Sequence, residues 1–555
     1  MENEIEQGLP AASAVALVTS VLAACGGGGG GGERAADRVA DGGAVSSTSG
    51  TSPSAAQASR FLSQAAFGAA EAEIAHVQSV GYEAWIEEQF ALPTAQSHWD
   101  WMIANGYGKL EFKDSFAGVD ATLWRKLMSS PDPLRQRVAL ALSEIFVISM
   151  AGLPVQWCGL AVAAYVDMLE AHAFGNVRSL LESVTLSCGM GVYLNMRGSQ
   201  KEDVATGRQP DENYAREVMQ LFTIGLYELN ADGTPRMENG APVETYDQSA
   251  VTGLAKVFTG WDFDAPVTGQ PDHMRRPMAF NATRHSTSAK SFLGVDLAAG
   301  GTDGEGELKT ALDTLFNHPN GGPFICRQLI QRLVTSNPSP AYVGRVAGAY
   351  ANNGRGERGD LKAVLKAVLL DDEARNAATA GGGRLREPIC RLVQWARSFG
   401  AGSPKGLWDI GDTSEPSTRL GQSSLRSPSV FNFFRPGYVP PNTRIGKQGL
   451  VAPEFQIANE STLVGYANWM QAVIQNGRGD VRADYGGFTA DAADASALFD
   501  RINLVLAAGQ LSTLTRSIVV NAVSTIDAST ALGRLRRVQA TVLLVMTAPE
   551  YLIAK

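Results

Sequence analysis

The chain has 555 residues, of which 45% are hydrophobic and 19% charged, with a formal net charge of −9. Such a composition excludes a wholly disordered protein, and the length is too great for one ordinary core. Lys and Arg are scattered through the chain, which excludes the clustered basic face of a nucleic-acid binder, and six His and five Cys leave little for a multi-metal centre.

Residues 9–24 form an apolar run that ends in Leu22-Ala23-Ala24-Cys25. The run is shorter than the roughly 20 residues a membrane-spanning helix needs, and it suits the core of a signal peptide. Leu-Ala-Ala-Cys resembles the lipobox of bacterial lipoproteins, in which Cys25 is lipidated and becomes the mature N-terminus. Seven glycines follow (Gly26 to Gly32), as in a flexible tether. The acidic opening, with Glu2, Glu4 and Glu6, departs from the positive start of a signal peptide, so a fortuitous lipobox on a disordered tail is the competing reading. The layout expected is a signal peptide over 1–24, a Gly/Ser/Ala-rich tether over 25–57, an N-terminal helical lobe over 58–270, a loop-rich insertion over 271–307 and a C-terminal helical lobe over 308–555. The protein is expected in the periplasm or at the cell surface, held to the outer membrane by its lipid. Cys158, Cys188, Cys326 and Cys390 then remain, either unpaired or in two disulfides of undetermined connectivity.

Order begins near Ala58, where Phe61, Leu62, Ala65 and Ala66 have helical spacing, and a second helix carries Val77, Tyr82, Trp85, Ile86 and Phe90. Asp132 is a suitable cap and Pro133 suits the first position of the next helix, whose apolar face is Leu134, Val138, Leu142, Ile145 and Phe146. Glu144 interrupts this apolar run. It reads either as the partner of Arg135, Arg137 or a distant Arg, or as a catalytic acid. A helix from Ala161 to His172 precedes one capped by Asn176.

The segment 210–230, PDENYAREVMQLFTIGLYELN, has the densest polar chemistry beside a strong burial signal. Asp211 caps its helix, Tyr214, Val218, Leu221 and Phe222 face inward, and Glu212/Arg216 and Asn213/Glu217 are four apart on other faces. Thr245 to Gln248 has the spacing of a capping box. Asp303, Glu305 and Glu307 read as a solvated acidic loop, because they lack the ligand number of a calcium loop. Helices follow at 308–316, from Pro323, from Pro340, from Asp360 and from Pro388. Four prolines forbid a helix in 427–441, whose four aromatic residues are expected to pin the loop to the core or line a groove. Helices then run from Pro453 to Gln475 and from Ser496 onward. Hairpin signals are nearly absent, so the fold expected is mainly α-helical, a multi-helix globular body with long loops and at most short peripheral strands.

No nucleophile elbow, P-loop or H-E-x-x-H occurs, and the histidines never pair at ligand spacing, so no metal is assigned and the cofactor stays open. Paired carboxylates at helix starts suit general acid–base work, though helical proteins also use them as caps and ion pairs. The catalytic candidates are Asp211, Glu212 and Glu217. Asn213, Arg216, His172, Trp261 and His285 are the candidates for binding substrate.

Several segments together resemble one family: DPLRQRVALALSEIFVIS, PDENYAREVMQLFTIGLYELN, VFTGW, FICRQLIQRLVTSNPSPAYV and SPSVFNFFRPGY. They look like the bacterial domain-of-unknown-function-1800 family, from Ser59 to the C-terminus. The resemblance implies a frequently exported protein, often encoded beside relatives of sulfatases and phosphatases. Cys188-Gly189 departs from the Pro-Ala pair expected there. Two functions follow as expectations: a hydrolase or lyase that cleaves an envelope or extracellular polymer with acidic residues, or a non-catalytic helical scaffold for a co-exported protein. Nucleic acid is not an expected partner.

Overall fold

The computed structural model describes residues 52–376 and 382–555. Cys25, the apolar run before it and the polyglycine lie outside the described residues. Within them helices dominate, and the four sheets are two-stranded.

The body begins slightly earlier than the composition suggests. Ser54 and Gln57 cap each other reciprocally and start a helix Ala55–Ala65, which buries Phe61 and Leu62. The helix expected around Val77 to Phe90 is two helices, Glu71–Val80 and Tyr82–Ala91, because Gly81 between them takes φ +84°. Proline at its first position starts the helix Pro133–Ser143. Asp132 does not cap it with its side chain: the carboxylate instead accepts from Ser130 and Gln136 and pairs with Arg135 at 3.1 Å. The helix ends one residue before Glu144, so that residue stands on a turn and not inside a helix.

The segment with the densest polar chemistry forms an α-helix Asn213–Glu217 that continues as a π-helical turn, Val218–Thr223. The wider turn rotates the inward face, so that Met219 is fully buried while Leu221 is only half-buried. The Thr245–Gln248 capping box does not form. Asp247 caps the helix Gln248–Val257 by accepting from the Ala250 N–H, and the Thr245 hydroxyl has no partner. The acidic stretch at 303–307 is not a solvated loop either: Asp303 caps the helix Gly304–Asn317, and Glu307 turns inward.

The helices Gly321–Leu333, Pro340–Ala351, Leu361–Leu370 and Pro388–Ser398 follow at the expected caps and prolines. The long C-terminal expectation resolves into Ala495–Ala507, Thr513–Ser524 and Ala531–Thr547. An antiparallel pair of Arg384–Leu385 with Ile553–Ala554 ties the chain end back to the middle. One apolar cluster runs from Ala58 to Leu552 and takes in helices of both halves. Cys158, Cys188, Cys326 and Cys390 are free thiols, and burial pushes the Cys188 and Cys390 thiols up to about 12.

The segment 271–307 is held to this body by a hairpin, Lys290–Phe292 with Val295–Leu297, that lies directly on the helix Gln248–Val257. Gly253 permits the approach, since a Cβ there would lie 1.9 Å from the Ser291 carbonyl oxygen, a backbone atom. Gly253→Ala is therefore expected to lower stability by about 1–3 kcal/mol through overpacking, read as a shift of the urea midpoint. Gly348→Ala, where a Cβ meets nothing within 4 Å, is the control and is expected to be neutral or slightly stabilising.

Candidate acid–base site

The residues singled out on and around the Asn213–Glu217 helix fall into separate clusters. Asp211 is exposed, and its carboxylate accepts from the Asn213 N–H at 2.8 Å. Glu212 ties two helices together: it accepts from Arg216 (3.1 Å), from the Gln248 amide (2.8 Å) and from the Thr252 hydroxyl (2.9 Å). His172 meets Ser183 at 2.9 Å, and desolvation lowers its pKa. His285 is wholly buried between the Thr259 carbonyl (2.8 Å) and Glu307 (2.9 Å), and Lys290 pairs with the same carboxylate at 2.8 Å. Phe280 packs between His285 and the buried Trp261, at centroid distances of 5.1 and 5.4 Å. Thus the structure brings Glu212 together with Arg216, and Trp261 near His285, but does not gather all eight residues around one cleft.

Glu217 differs from the other two carboxylates. It is buried, its Oε2 has no hydrogen-bond partner, and desolvation raises its pKa against the opposing pull of Arg216. The Tyr246 hydroxyl is likewise buried without a partner, and both Tyr193 and Tyr246 feel the Glu217 charge.

The strongest concentration of perturbed acids lies elsewhere, where the two halves of the chain meet. Glu144 follows the helix Pro133–Ser143, Arg332 lies near the end of Gly321–Leu333, Arg384 opens the short strand Arg384–Leu385, and Glu387 immediately precedes the helix Pro388–Ser398. Glu454 joins them from the turn Pro453–Ile457. Glu387 is bound by Arg384 and accepts from the Gln422 amide at 2.7 Å. Burial opposes its ionisation, yet Arg384, a hydrogen bond from Glu144, Arg137 and Gln422 outweigh that and hold its pKa down to about 2. Arg384 also meets Glu454 at 3.1 Å.

Glu144 moves in the opposite direction. Desolvation, followed by the neighbouring charge of Glu387 and the hydrogen bond to it, raises the Glu144 pKa well above the ordinary carboxyl range, and Arg332 and Arg137 only partly offset this. Three arginines against three glutamates would suffice for all to ionise. The geometry decides otherwise: Arg332 Nε lies 3.3 Å from Glu144 Oε2 but is misaligned, and neither atom is in a hydrogen bond. The arginine spends its Nη2 on the Glu144 carbonyl at 2.8 Å. Burial and the adjacent Glu387 charge therefore favour the protonated form of Glu144, and its Oε2 has no hydrogen-bond partner.

That carboxyl borders a recess walled by Leu140, Ile389, Ser423, Ser427, Asn432 and Phe433. The recess is small: its empty space, open solvent included, is about 290 Å³, and only about 10 Å³ of it admits the centre of a water-sized group. The Ser427 hydroxyl and the Asn432 amide nitrogen are buried there without partners. Two carboxyls with pKa values pushed apart, beside unsatisfied hydroxyl and amide groups, constitute an acid–base arrangement. Glu144 was visible in the sequence as a carboxylate inside an apolar run. Glu387, Gln422, Ser427 and Asn432 were not, and their only local signals were charge next to Pro388 and a proline-broken loop.

One further cluster has metal-like residue types: His98, Asp167 and Glu170. Its cation is already provided by Lys126, which pairs with Glu170, while His98 meets the same carboxylate at 2.9 Å and Asp167 accepts from the His98 and Trp99 backbone N–H groups. Against the cost of burial, His98 and Lys126 hold the Glu170 pKa down to about 2. The cluster clamps three helices together, His98–Ala104, Val119–Ser129 and Cys158–His172.

The Glu144 and Glu387 shifts give opposite pH effects. The folded pKa of Glu387 lies below the unfolded value of 4.5, so its stabilisation is present above 4.5 and is lost as pH falls toward 2. The folded pKa of Glu144 lies above 4.5, so its cost to stability grows as pH rises from 4.5 toward the raised value. Glu144→Gln, which replaces a neutral acid by a neutral amide, is expected to change stability by no more than about 1 kcal/mol at acidic pH. It should gain relative to wild type as pH rises in urea titrations. Glu387→Gln, which strips Arg384 of its nearest counter-charge, is expected to cost about 3–5 kcal/mol at pH 7.

Comparison with known sequences and structures assigns this architecture to a family but not to an activity. No curated protein and no solved structure matches the chain. The sequence profile of the family described as "Protein of unknown function (DUF1800)" matches residues 60–553, nearly the whole described body, and the chain belongs to that family.

Proposed function

We propose that this protein is an exported hydrolase of an envelope or extracellular polymer, with Glu144 as the proton donor. The observation that carries the reading is the buried Glu144 carboxyl, whose pKa desolvation and the neighbouring Glu387 raise and whose Oε2 is unpartnered at a recess. In the reaction, the polymer's C–O bond breaks and the leaving oxygen takes the Glu144 proton. Water adds to the other fragment, and its released proton restores the acid. Arg332, 3.3 Å from Oε2, neutralises the carboxylate formed in between, so that its charge is stabilised when the proton has left. Glu387 keeps the acid protonated beforehand. Ser427 and Asn432 place unsatisfied polar groups beside Glu144, where a water can bind, and Phe433 adds an apolar wall. Export rests on the apolar run 9–24 and Cys25.

The scaffold alternative calls for an exposed apolar face on the aromatic loop 427–441. Phe434 is buried there, Phe431, Phe433 and Tyr438 are half-buried, and Val439 alone is an exposed large apolar residue. The loop serves better as a wall than as a docking face.

The full chain is to be incubated with soluble pectin, alginate and hyaluronan and with peptidoglycan, and new chain ends counted. The wild type is expected to release ends from at least one polymer, and Glu144→Gln to lose at least about 100-fold of that rate with an unchanged circular dichroism spectrum. The rate should fall as pH rises through the Glu144 pKa. Full activity in Glu144→Gln would remove the proposal, and loss confined to Glu217→Gln would move the acid to the Asn213–Glu217 helix.

A further inference from the structure

A second cavity, about 430 Å³, opens between the end of the helix Glu460–Asn476, the loop at 477–486 and the first turns of Ala531–Thr547. Its volume is that of small-molecule sites, large enough for a monosaccharide. Arg482, Asp484, Tyr485, Arg534, Leu535 and Gln539 line it. We propose that this cavity binds a small organic oxyanion, a carboxylate or phosphate monoester of about the size of a sugar acid.

The argument rests on how the two arginines are held. Arg482 donates through Nη1 to the Gly479 and Val481 carbonyls at 3.0 and 2.9 Å. Arg534 donates through Nη1 to the Ala528 and Ser529 carbonyls at 3.2 and 3.4 Å. Carbonyls fix each guanidinium in place without neutralising it, and among the described residues neither arginine has a carboxylate partner. Many of the chain's other surface arginines do, for example Arg345 with Asp371, Arg501 with Glu71 and Arg516 with Asp500. Nε and Nη2 of both cavity arginines therefore stay available for the forked contact that an oxyanion accepts.

The rest of the wall favours the same sign of charge. The negative end of Glu460–Asn476 reaches the cavity at Ile474 and Gln475, but the Gln539 amide donates to both carbonyls (3.3 and 3.2 Å), and the Tyr485 hydroxyl also donates to Ile474 (3.2 Å). Arg534 and Ala531 bring the first turn of a 17-residue helix to the opposite side, with its positive partial charge. The one carboxylate, Asp484, already accepts from the Gly486 N–H at 2.8 Å. Two arginines against one aspartate leave a net positive cavity on a protein of charge −9. The buried ring of Tyr485, held by Trp395 at 2.8 Å, gives the ligand's carbon skeleton a fixed surface.

The test is calorimetric titration of the full chain with galacturonate, glucose 6-phosphate and neutral glucose at low ionic strength. One or both anions are expected to bind with Kd near or below about 1 mM, at least about 10-fold more tightly than glucose. Binding of galacturonate alone identifies a carboxylate site, and binding of glucose 6-phosphate alone a phosphate site. Arg482→Ala and Arg534→Ala should each weaken binding about 10-fold or more, and Arg534→Gln, which keeps amide donors without charge, should weaken it comparably with an unchanged Tm. Equal binding of glucose, binding unaffected in the arginine variants, or no anion binding overturns the proposal. Because the cavity is separate from Glu144, Glu144→Gln should leave these affinities unchanged.

Discussion

The ion pair of Arg384 with Glu387 sits in an interior where little water can screen it, and the surrounding region is arranged to keep it intact. Arg384 reaches a second carboxylate, Glu454, while Gln422 fills the remaining valence of Glu387 and Glu144 donates to it. These groups come from segments far apart in the chain, so the network closes only when both halves have docked. A buried network of this kind contributes little net stability compared with apolar residues of the same shape, but removing one member leaves an uncompensated charge. It joins the Pro133–Ser143 region to Gly321–Leu333 and Pro388–Ser398. The same tightness produces the odd acid, because Glu144 lies buried beside an anion, which raises its pKa.

The Asn213–Glu217 helix illustrates a different use of polar groups. Glu212, Arg216, Gln248 and Thr252 form a partly exposed clamp between two helices, where solvent limits each ion pair to a fraction of a kcal/mol to about 1 kcal/mol. Polar residues four apart on a helix are natural partners, and here they satisfy one another. A π-helical turn follows at once, bringing Met219 into the core and carrying the chain toward Gly225, whose φ of +73° ends the element. The segment positions the loop beyond it and clamps its neighbour.

Much of the fold was legible because local chemistry decided it. Pro133, Ser339, Asp360 and Pro388 start helices where caps and prolines require them. The mainly helical class follows from the periodicity of apolar residues. Errors arose where two local signals competed. Asp247 displaced Thr245 as a cap, since its carboxylate is the better acceptor for an N–H two or three residues on. The glutamate at 307 looked solvated beside Asp303 and Glu305, yet Lys290 and His285 reach it across the fold. Arg332 is also the distant arginine beside the Glu144 carboxyl, 3.3 Å from its Oε2, and a separation of 188 residues is beyond any local reading.

The candidate site was hard to find for a related reason. Dense polar sequence attracts attention, but density means that partners are close in the chain, and groups with close partners satisfy one another as Glu212 and Arg216 do. A carboxyl whose pKa is raised needs the opposite surroundings: apolar neighbours and a like charge nearby. In a sequence that appears as one carboxylate alone in an apolar run, which is how Glu144 looks between Ser143 and Ile145. Glu217 follows Arg216 and precedes Val218 and Met219, so it shares that character on one side only, and it also keeps an unpartnered oxygen. What separates the two is the second carboxylate. Burial and then the Glu387 charge raise the Glu144 pKa, whereas Glu217 has burial alone against the pull of Arg216. Burial raises a pKa, but an adjacent fixed anion raises it further and also lets the acid recover its proton after giving it up, which is what repeated turnover requires.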